Sequence, residues 1–399
     1  MNPRFNPFSP GAGNPPPELA GRDDIIERAE IALHRIASGR AARSIVLYGL
    51  RGVGKTVLLY KIREQAEGDG YLPIIIEAPE DRSLASTLGP SLRTTLIKMS
   101  KINQAMDIAG QTLDVAKRAL ASFINAAKIK YVDIEVNIGF DAEEGLADSG
   151  DFEADLTDLL IAVGESAKQY NKPVVLVIDE LQYIPEEQLS ALITALHRAS
   201  QRQLPITLVA AGLPQLLGQM GKAKSYAERL FDFVEISSLE PVSAAQAIQI
   251  PIESEGESIN KNAVIEIIKQ TQGYPYFIQE WGKHVWDLTP DSPITKEDVI
   301  KATDVALSEL DESFFRVRFD RLTPAEKAYI RAMAELGKGP HRSSDVADLL
   351  GKQSSGVAPI RARLIQKGMI YAPSHGDTAF TVPLFDGFMR RTIPDIVAK

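Results

Sequence analysis

The stretch IVLYGLRGVGKTVLL, residues 45–59, constrains this chain more than any other. An apolar, β-branched run ends in Gly49, a glycine-rich loop follows, and Lys55-Thr56 opens a run with helical character. Gly49-x4-Gly54-Lys55-Thr56 has the spacing of a phosphate-binding loop. Its glycines let successive backbone N–H groups turn inward, and those groups, with the N-terminus of the following helix, cradle a β-phosphate. Gly49, Gly52, Val53, Gly54, Lys55, Thr56 and Val57 are therefore the candidate nucleotide contacts. In such a loop the lysine bridges β- and γ-phosphates and the hydroxyl of Thr56 can coordinate Mg²⁺. A strand, loop, helix and second strand (YLPIIIEAP, residues 71–79) in this order begin a parallel α/β sheet.

The run PVVLVIDELQYIP, residues 173–185, supplies the other half of the site. A fully apolar strand ejects Asp179 and Glu180 at its carboxyl end, where parallel sheets bind ligands. Asp179 is placed to hold Mg²⁺ and Glu180 to orient or deprotonate an attacking water. Two carboxylates favour hydrolysis by water over transfer to a second substrate, which disfavours a small-molecule kinase. With the strand PITLVAAG, residues 205–212, the chain shows at least four βα units before residue 213.

At 399 residues the chain is too long for one ordinary core, so several domains are expected. Residues 1–18, rich in Pro, Gly and Asn, read as a flexible tail. Residues 19–238 read as the α/β core, P-loop NTPase in type, with helices on both faces of the sheet and an insertion at about 103–150. Within that insertion YVDIEVNIGF, residues 131–140, alternates like an exposed strand. Residues 239–315 are helical only and read as an all-α lid. From residue 316 to 399 three short helices and a two-stranded wing give the order of a winged helix-turn-helix domain, with His375 in the wing. The absence of cysteine excludes disulfides, thiolate nucleophiles and cysteine zinc sites, and the five histidines have no ligand spacing. No segment resembles a signal peptide or approaches the ~20 apolar residues that span a bilayer. The expectation is a soluble, cytoplasmic protein with no membrane partner.

The order of phosphate loop, Asp-Glu strand, further strand and helical lid resembles the AAA+ and STAND-type P-loop ATPases. The appended winged helix makes the architecture of residues 19–399 similar to the archaeal origin-recognition-type ATPases and their bacterial relatives. The resemblance implies ATP and Mg²⁺ as ligands. In LAGRDDIIERAE it implies that Gly21 and Arg22 help frame the adenine; in QGYPYFIQ it implies that Gly273 and Pro275 close over the nucleotide. In SYAERLF, Arg229 stands where AAA+ relatives supply an arginine finger to a neighbouring subunit, which implies a nucleotide-dependent homo-oligomer. Arg229 paired with Glu228 or Asp232 is the alternative. The sequence departs from the family in two places. The strand ending TLVAAG carries no polar residue to sense the γ-phosphate, and no arginine follows Gly273 in the lid, where only Gln279 or Lys283 could substitute. Both absences favour a slow switch over a processive motor.

The net charge of −9 is unevenly distributed. Residues 316–399 hold 14 Lys+Arg against 8 Asp+Glu, a net of +6, which leaves −15 on the rest. A basic module on an acidic body suits a polyanionic partner, and double-stranded DNA is the candidate. In KQSSGVAPIRARLIQKG the outward set is Lys352, Gln353, Ser354, Ser355, Arg361, Arg363 and Lys367. The expected function is an ATP-binding, slowly hydrolysing switch that couples nucleotide state to DNA binding. The alternative is a STAND-type signalling ATPase whose C-terminal module binds protein.

Overall fold

The computed structural model describes residues 1–11, 13–78, 82–106, 110–130, 139–337, 339–374 and 376–394. The strand expected at 131–140 falls almost wholly outside the described residues, as does His375. Two compact units divide the chain.

The first unit comprises Arg22–Tyr48 and Lys55–Glu235. Its strands are β1 (Ser44–Tyr48), β2 (Leu72–Glu77), β3 (Val174–Asp179), β4 (Ile206–Gly212) and β5 (Phe231–Glu235). They form a parallel sheet in the order β2-β3-β4-β1-β5. In β3 only the terminal Asp179 is not fully buried, and in β4 every residue is buried. Strands covered on both faces must be apolar throughout, as VVLVID and ITLVAAG nearly are. The helices are α1 (Asp23–Ala37), α2 (Lys55–Gly68), α3 (Leu84–Met106), α4 (Gln111–Lys130), α5 (Phe152–Gln169), α6 (Glu186–Gln201), α7 (Leu216–Ala223) and α8 (Ala227–Leu230). Helix α4 lies inside the stretch read as an insertion, yet it buries Leu113, Leu120, Phe123 and Ile124 in the same apolar cluster as β3 and α5. The rings of Phe123 and Phe152 stand 5.5 Å apart.

The second unit comprises Met1–Gly21, Gly49–Gly54 and Ile236–Lys399. Four helices make its first part: α9 (Pro241–Ser254), α10 (Lys261–Thr271), α11 (Pro275–Leu288) and α12 (Lys296–Glu309). The N-terminal residues read as a tail contact this bundle. Phe8 is buried with its ring against Gly282, and Asn6 Nδ2 donates to Lys283 O at 3.0 Å and to Asp287 Oδ1 at 2.8 Å. An aromatic side chain in an apolar slot and two hydrogen bonds oppose the chain entropy that the Pro/Gly composition suggests.

Helix α12 continues through a π-helical stretch, Leu310–Phe315, into α13 (Arg316–Asp320). There follow α14 (Pro324–Glu335), β6 (His341–Arg342), α15 (Ser343–Leu349), α16 (Ser354–Gln366), β7 (Ile370–Tyr371), β8 (Asp377–Phe380) and α17 (Phe385–Thr392). The antiparallel sheet β6-β8-β7 completes a winged helix-turn-helix domain. Strand β6 and helix α17 add to the pattern read from sequence; β6 is only two residues long, too short to show a period. Phe385 and Phe388 of α17 lie against Phe315, at 5.6 and 5.4 Å between ring centroids.

Candidate nucleotide site and nucleic-acid interface

The phosphate-loop residues lie where β1 ends and α2 begins. Lys55 is the first residue of α2 and is buried, with Thr56 and Val57 half-buried beside it. Gly52 and Gly54 adopt φ of +84° and +91°, and Val53 between them is buried. The backbone conformation at Gly52 favours glycine, and a Cβ there would stand 3.1 Å from Tyr274 and Tyr276, a tight approach.

Strand order places β3 and β1 on either side of β4, which brings the ends of both strands to one region of the sheet. The Thr56 hydroxyl donates to Asp179 Oδ2 at 2.6 Å, and the Glu180 N–H donates to Asp179 Oδ1 at 2.8 Å. Burial pushes the Asp179 carboxyl above its ordinary range, against the hydrogen bonds and the nearby Lys55 ammonium that favour the charged form. Thr56 and Asp179 therefore pair a hydroxyl with an incompletely compensated carboxylate, a hard-oxygen pair suited to Mg²⁺ with phosphate and water as its remaining ligands. No cluster of three or more His, Asp or Glu capable of holding a metal occurs among the described residues, so a dedicated all-protein cage is not formed there. Glu180 has left-handed backbone, φ +53° and ψ +37°, and its Oε2 accepts from Gln182 Nε2. The end of β4, Ala210–Gly212, is apolar and buried, as the sequence implied.

In the second unit the crest of the loop is held at three backbone groups. The Tyr276 N–H donates to Gly52 O at 3.1 Å, the Tyr274 hydroxyl donates to Arg51 O, and the Arg51 N–H donates to Thr381 O at 3.3 Å. Thr381 directly follows β8 and is itself fixed, its hydroxyl donating to Gly368 O at 2.6 Å. Gly273, at φ +68°, leaves no room for a Cβ, which would sit 2.5 Å from Leu239 O; Pro275 starts α11. Gly21 packs against Ser243 of α9. Arg22, in the other unit, is buried, and that burial lowers its guanidinium pKa. Gln279 accepts from Ser9 N at 3.4 Å and Lys283 lies 3.8 Å from Asp287, so both are engaged within the bundle. Tyr274, Tyr276, Arg51 and Thr381 are contacts that sequence reasoning missed; the aromatic residues flanking Pro275 were the only signal.

Arg229 is exposed on α8 and forms no ion pair among the described residues. Asp232, one of its two expected partners, pairs instead with Arg28. In the winged domain Lys352, Gln353, Ser354 and Ser355 are exposed at the start of α16. Two of the residues expected to face outward are turned inward. Arg361 donates to Thr378 Oγ1 at 3.1 Å and Asp377 O at 2.8 Å, and Lys367 donates to Arg321 O at 2.9 Å and Glu326 Oε2 at 2.8 Å. Arg363 is 55% exposed, with Nε 3.7 Å from Glu326 Oε1. For Lys367 the physical reason is the fully buried Glu326, whose charge must be compensated and which the C-terminal end of α16 faces with Lys367 and Arg363; Arg361 is drawn instead to the backbone oxygen and hydroxyl at the start of β8.

Residues 18–209 match the family model of the AAA ATPase domain, and residues 312–389 match a domain of unknown function. Loop and strand order define a parallel α/β fold of the P-loop type, and residues 18–209 are similar to the AAA ATPase domain. Over 395 aligned residues it is 23% identical to an uncharacterised HTH-type transcriptional regulator of Methanocaldococcus jannaschii, covering 94% of this chain and 90% of that one. Its fold is similar to that of a Walker-type ATPase of Pyrococcus abyssi, with TM-score 0.57, 15% identity, and 93% and 96% of the two chains covered. A lower similarity, TM-score 0.46 at 13% identity over 95% and 94% of the chains, is found with the Aeropyrum pernix ORC1 protein in complex with DNA. No described helix is long and apolar enough to cross a membrane.

Proposed function

We propose that this protein is a molecular switch that binds and slowly hydrolyses Mg-ATP and thereby sets the DNA affinity of its winged helix. One observation carries the reading: the crest of the phosphate loop is hydrogen-bonded to the lid tyrosines and to the residue that closes the wing. A nucleotide that reorders the loop to aim its N–H groups at phosphate must compete with the bond from Arg51 N to Thr381 O, so loading the loop changes how the wing is held.

The chemistry assigned to the chain is as follows. Backbone N–H groups of the loop and the Lys55 ammonium bind the β- and γ-phosphates. Thr56 and Asp179 would hold Mg²⁺, which when bound neutralises charge on the phosphate oxygens. Glu180 accepts a proton from the water whose oxygen bonds to the γ-phosphorus; the bond from that phosphorus to the β,γ-bridging oxygen breaks, and ADP and phosphate leave. With no polar side chain at the end of β4, turnover is slow. Arg229, exposed and unpaired among the described residues, acts on the site of a neighbouring copy in a homo-oligomer. Lys352, Gln353, Ser354 and Ser355 face duplex DNA, with Arg363 at the rim. The similarity to an HTH-type transcriptional regulator supports this partner.

The inward orientation of Arg361 and Lys367 favours a second reading, a signalling ATPase whose winged domain contacts protein, because it removes two cations from the outward face. Fluorescence anisotropy of a labelled duplex, with ATP, ADP or no nucleotide at two salt concentrations, separates the two. The switch predicts salt-sensitive binding that depends on nucleotide. No binding in any state supports the signalling reading.

A further inference from the structure

The geometry points to Gln182 as the residue that positions Glu180 for water activation, in place of the polar residue that β4 lacks; this rests on the hydrolytic reading above. Gln182 lies in the single 3-10 turn, Leu181–Tyr183, that follows Glu180, and it is only 6% exposed although it is polar. A buried amide is costly unless its groups are hydrogen-bonded. Both ends of this amide are used. Its Oε1 accepts the Leu213 N–H at 2.9 Å, immediately beyond the end of β4. That bond fixes the orientation of the amide, since a backbone N–H can be met only by the oxygen. The Nε2 group is thereby turned toward Glu180, where it donates to Oε2. The backbone oxygen of Gln182 receives a further bond from Gln219 Nε2 of α7 at 3.4 Å.

The last residue of β4 fits the same arrangement. A Cβ on Gly212 would come within 2.8 Å of Gln182 Oε1, so a side chain there would displace the amide. The bare end of β4 is thus occupied by an amide delivered from the turn that follows the neighbouring strand β3. Glu180 itself needs such a restraint. A left-handed backbone at a non-glycine residue is strained and persists only where the surroundings hold it. With Oε2 engaged by the amide, Oε1 is left to accept the proton of a water. Gln182 touches no reacting atom; it acts through Glu180.

Two substitutions test this in the full-length protein. Gln182→Glu keeps an acceptor for the Leu213 N–H but replaces the donor facing Glu180 with a second carboxylate; Gln182→Met removes both bonds at similar volume. Steady-state ATP hydrolysis, affinity for a fluorescent ATP analogue and the melting temperature are measured for both variants and the wild type. The expected result is a fall in kcat of about tenfold or more in both variants, with KM and analogue affinity within about twofold of wild type. In Gln182→Glu this fall comes without a matching fall in melting temperature. A kcat within about twofold of wild type, a raised kcat, or a loss confined to KM and affinity would overturn the assignment. No turnover by the wild type itself would overturn the hydrolytic reading, and this one with it; turnover by the wild type with unaltered variants would overturn this one alone.

Discussion

Asp179 at the end of β3 and Glu326 in α14 are both carboxylates removed from bulk water, and they behave oppositely. Glu326 is fully buried and ion-paired: its Oε2 accepts from the Thr323 N–H and from Lys367 Nζ, both at 2.8 Å, while Oε1 has only Arg363 Nε, 3.7 Å away. Burial alone would raise its pKa, but those bonds outweigh it and hold the carboxyl below its ordinary range. Asp179 receives one hydroxyl and one backbone N–H, and there burial prevails and raises the pKa. A buried carboxylate in hydrogen-bond contact with an ammonium is held in its charged form. One held only by a hydroxyl and a backbone N–H keeps a cost that a bound cation would relieve, as the proposed metal-binding role of Asp179 requires.

Substitutions at the two sites test this difference. The largest effect is expected at the loop: Lys55→Ala should abolish ATP turnover, on the order of 10³-fold or more, with loss of nucleotide binding in an equilibrium assay. Glu180→Gln should retain nucleotide binding while single-turnover hydrolysis falls by roughly 10²–10⁴-fold; normal hydrolysis would remove Glu180 from the water-activating role. Next comes Lys367→Met, which leaves the buried Glu326 short of a partner and should destabilise the winged domain by about 1–3 kcal/mol in denaturant melts. Lys352→Ala should leave stability unchanged, weaken DNA binding and reduce the salt slope by about one.

The pH dependence carries the contrast in sign. Because the Glu326 pKa is depressed, its stabilisation is present above the ordinary carboxylate pKa and lost as pH falls through the lower folded value. Because the Asp179 pKa is raised, its contribution is present below the ordinary value and lost as pH rises through the higher folded value. Asp179→Asn should therefore raise the melting temperature at neutral pH while abolishing Mg-dependent turnover, and Glu326→Gln should lower it. A shift of the same sign in both variants would show that the two carboxylates do not differ in this way.

What the sequence reveals follows the same division. The phosphate loop and the Asp179-Glu180 pair are legible because a strand fixes direction: a side chain at its carboxyl end has nowhere to go but the ligand-binding edge of the sheet. The winged domain is legible as an order of elements. Its charged face is not, because whether a lysine at a helix end points to solvent depends on a carboxylate 41 residues away, as Lys367 and Glu326 show. Gln182 was invisible for a related reason. It reads as one polar residue in a turn, and only the register of β3 against β4 brings its amide to Leu213. The contacts from Tyr274, Tyr276 and Thr381 to the loop crest are likewise long-range in sequence and leave no local pattern.

The claim that nucleotide state sets DNA affinity is tested most directly with the Glu180→Gln protein, which should load ATP without consuming it. Anisotropy of a labelled DNA duplex is measured with this variant in saturating ATP and again in saturating ADP. The account predicts dissociation constants that differ by about tenfold or more between the two states. Equal affinities, with both nucleotides shown to be bound, would contradict it.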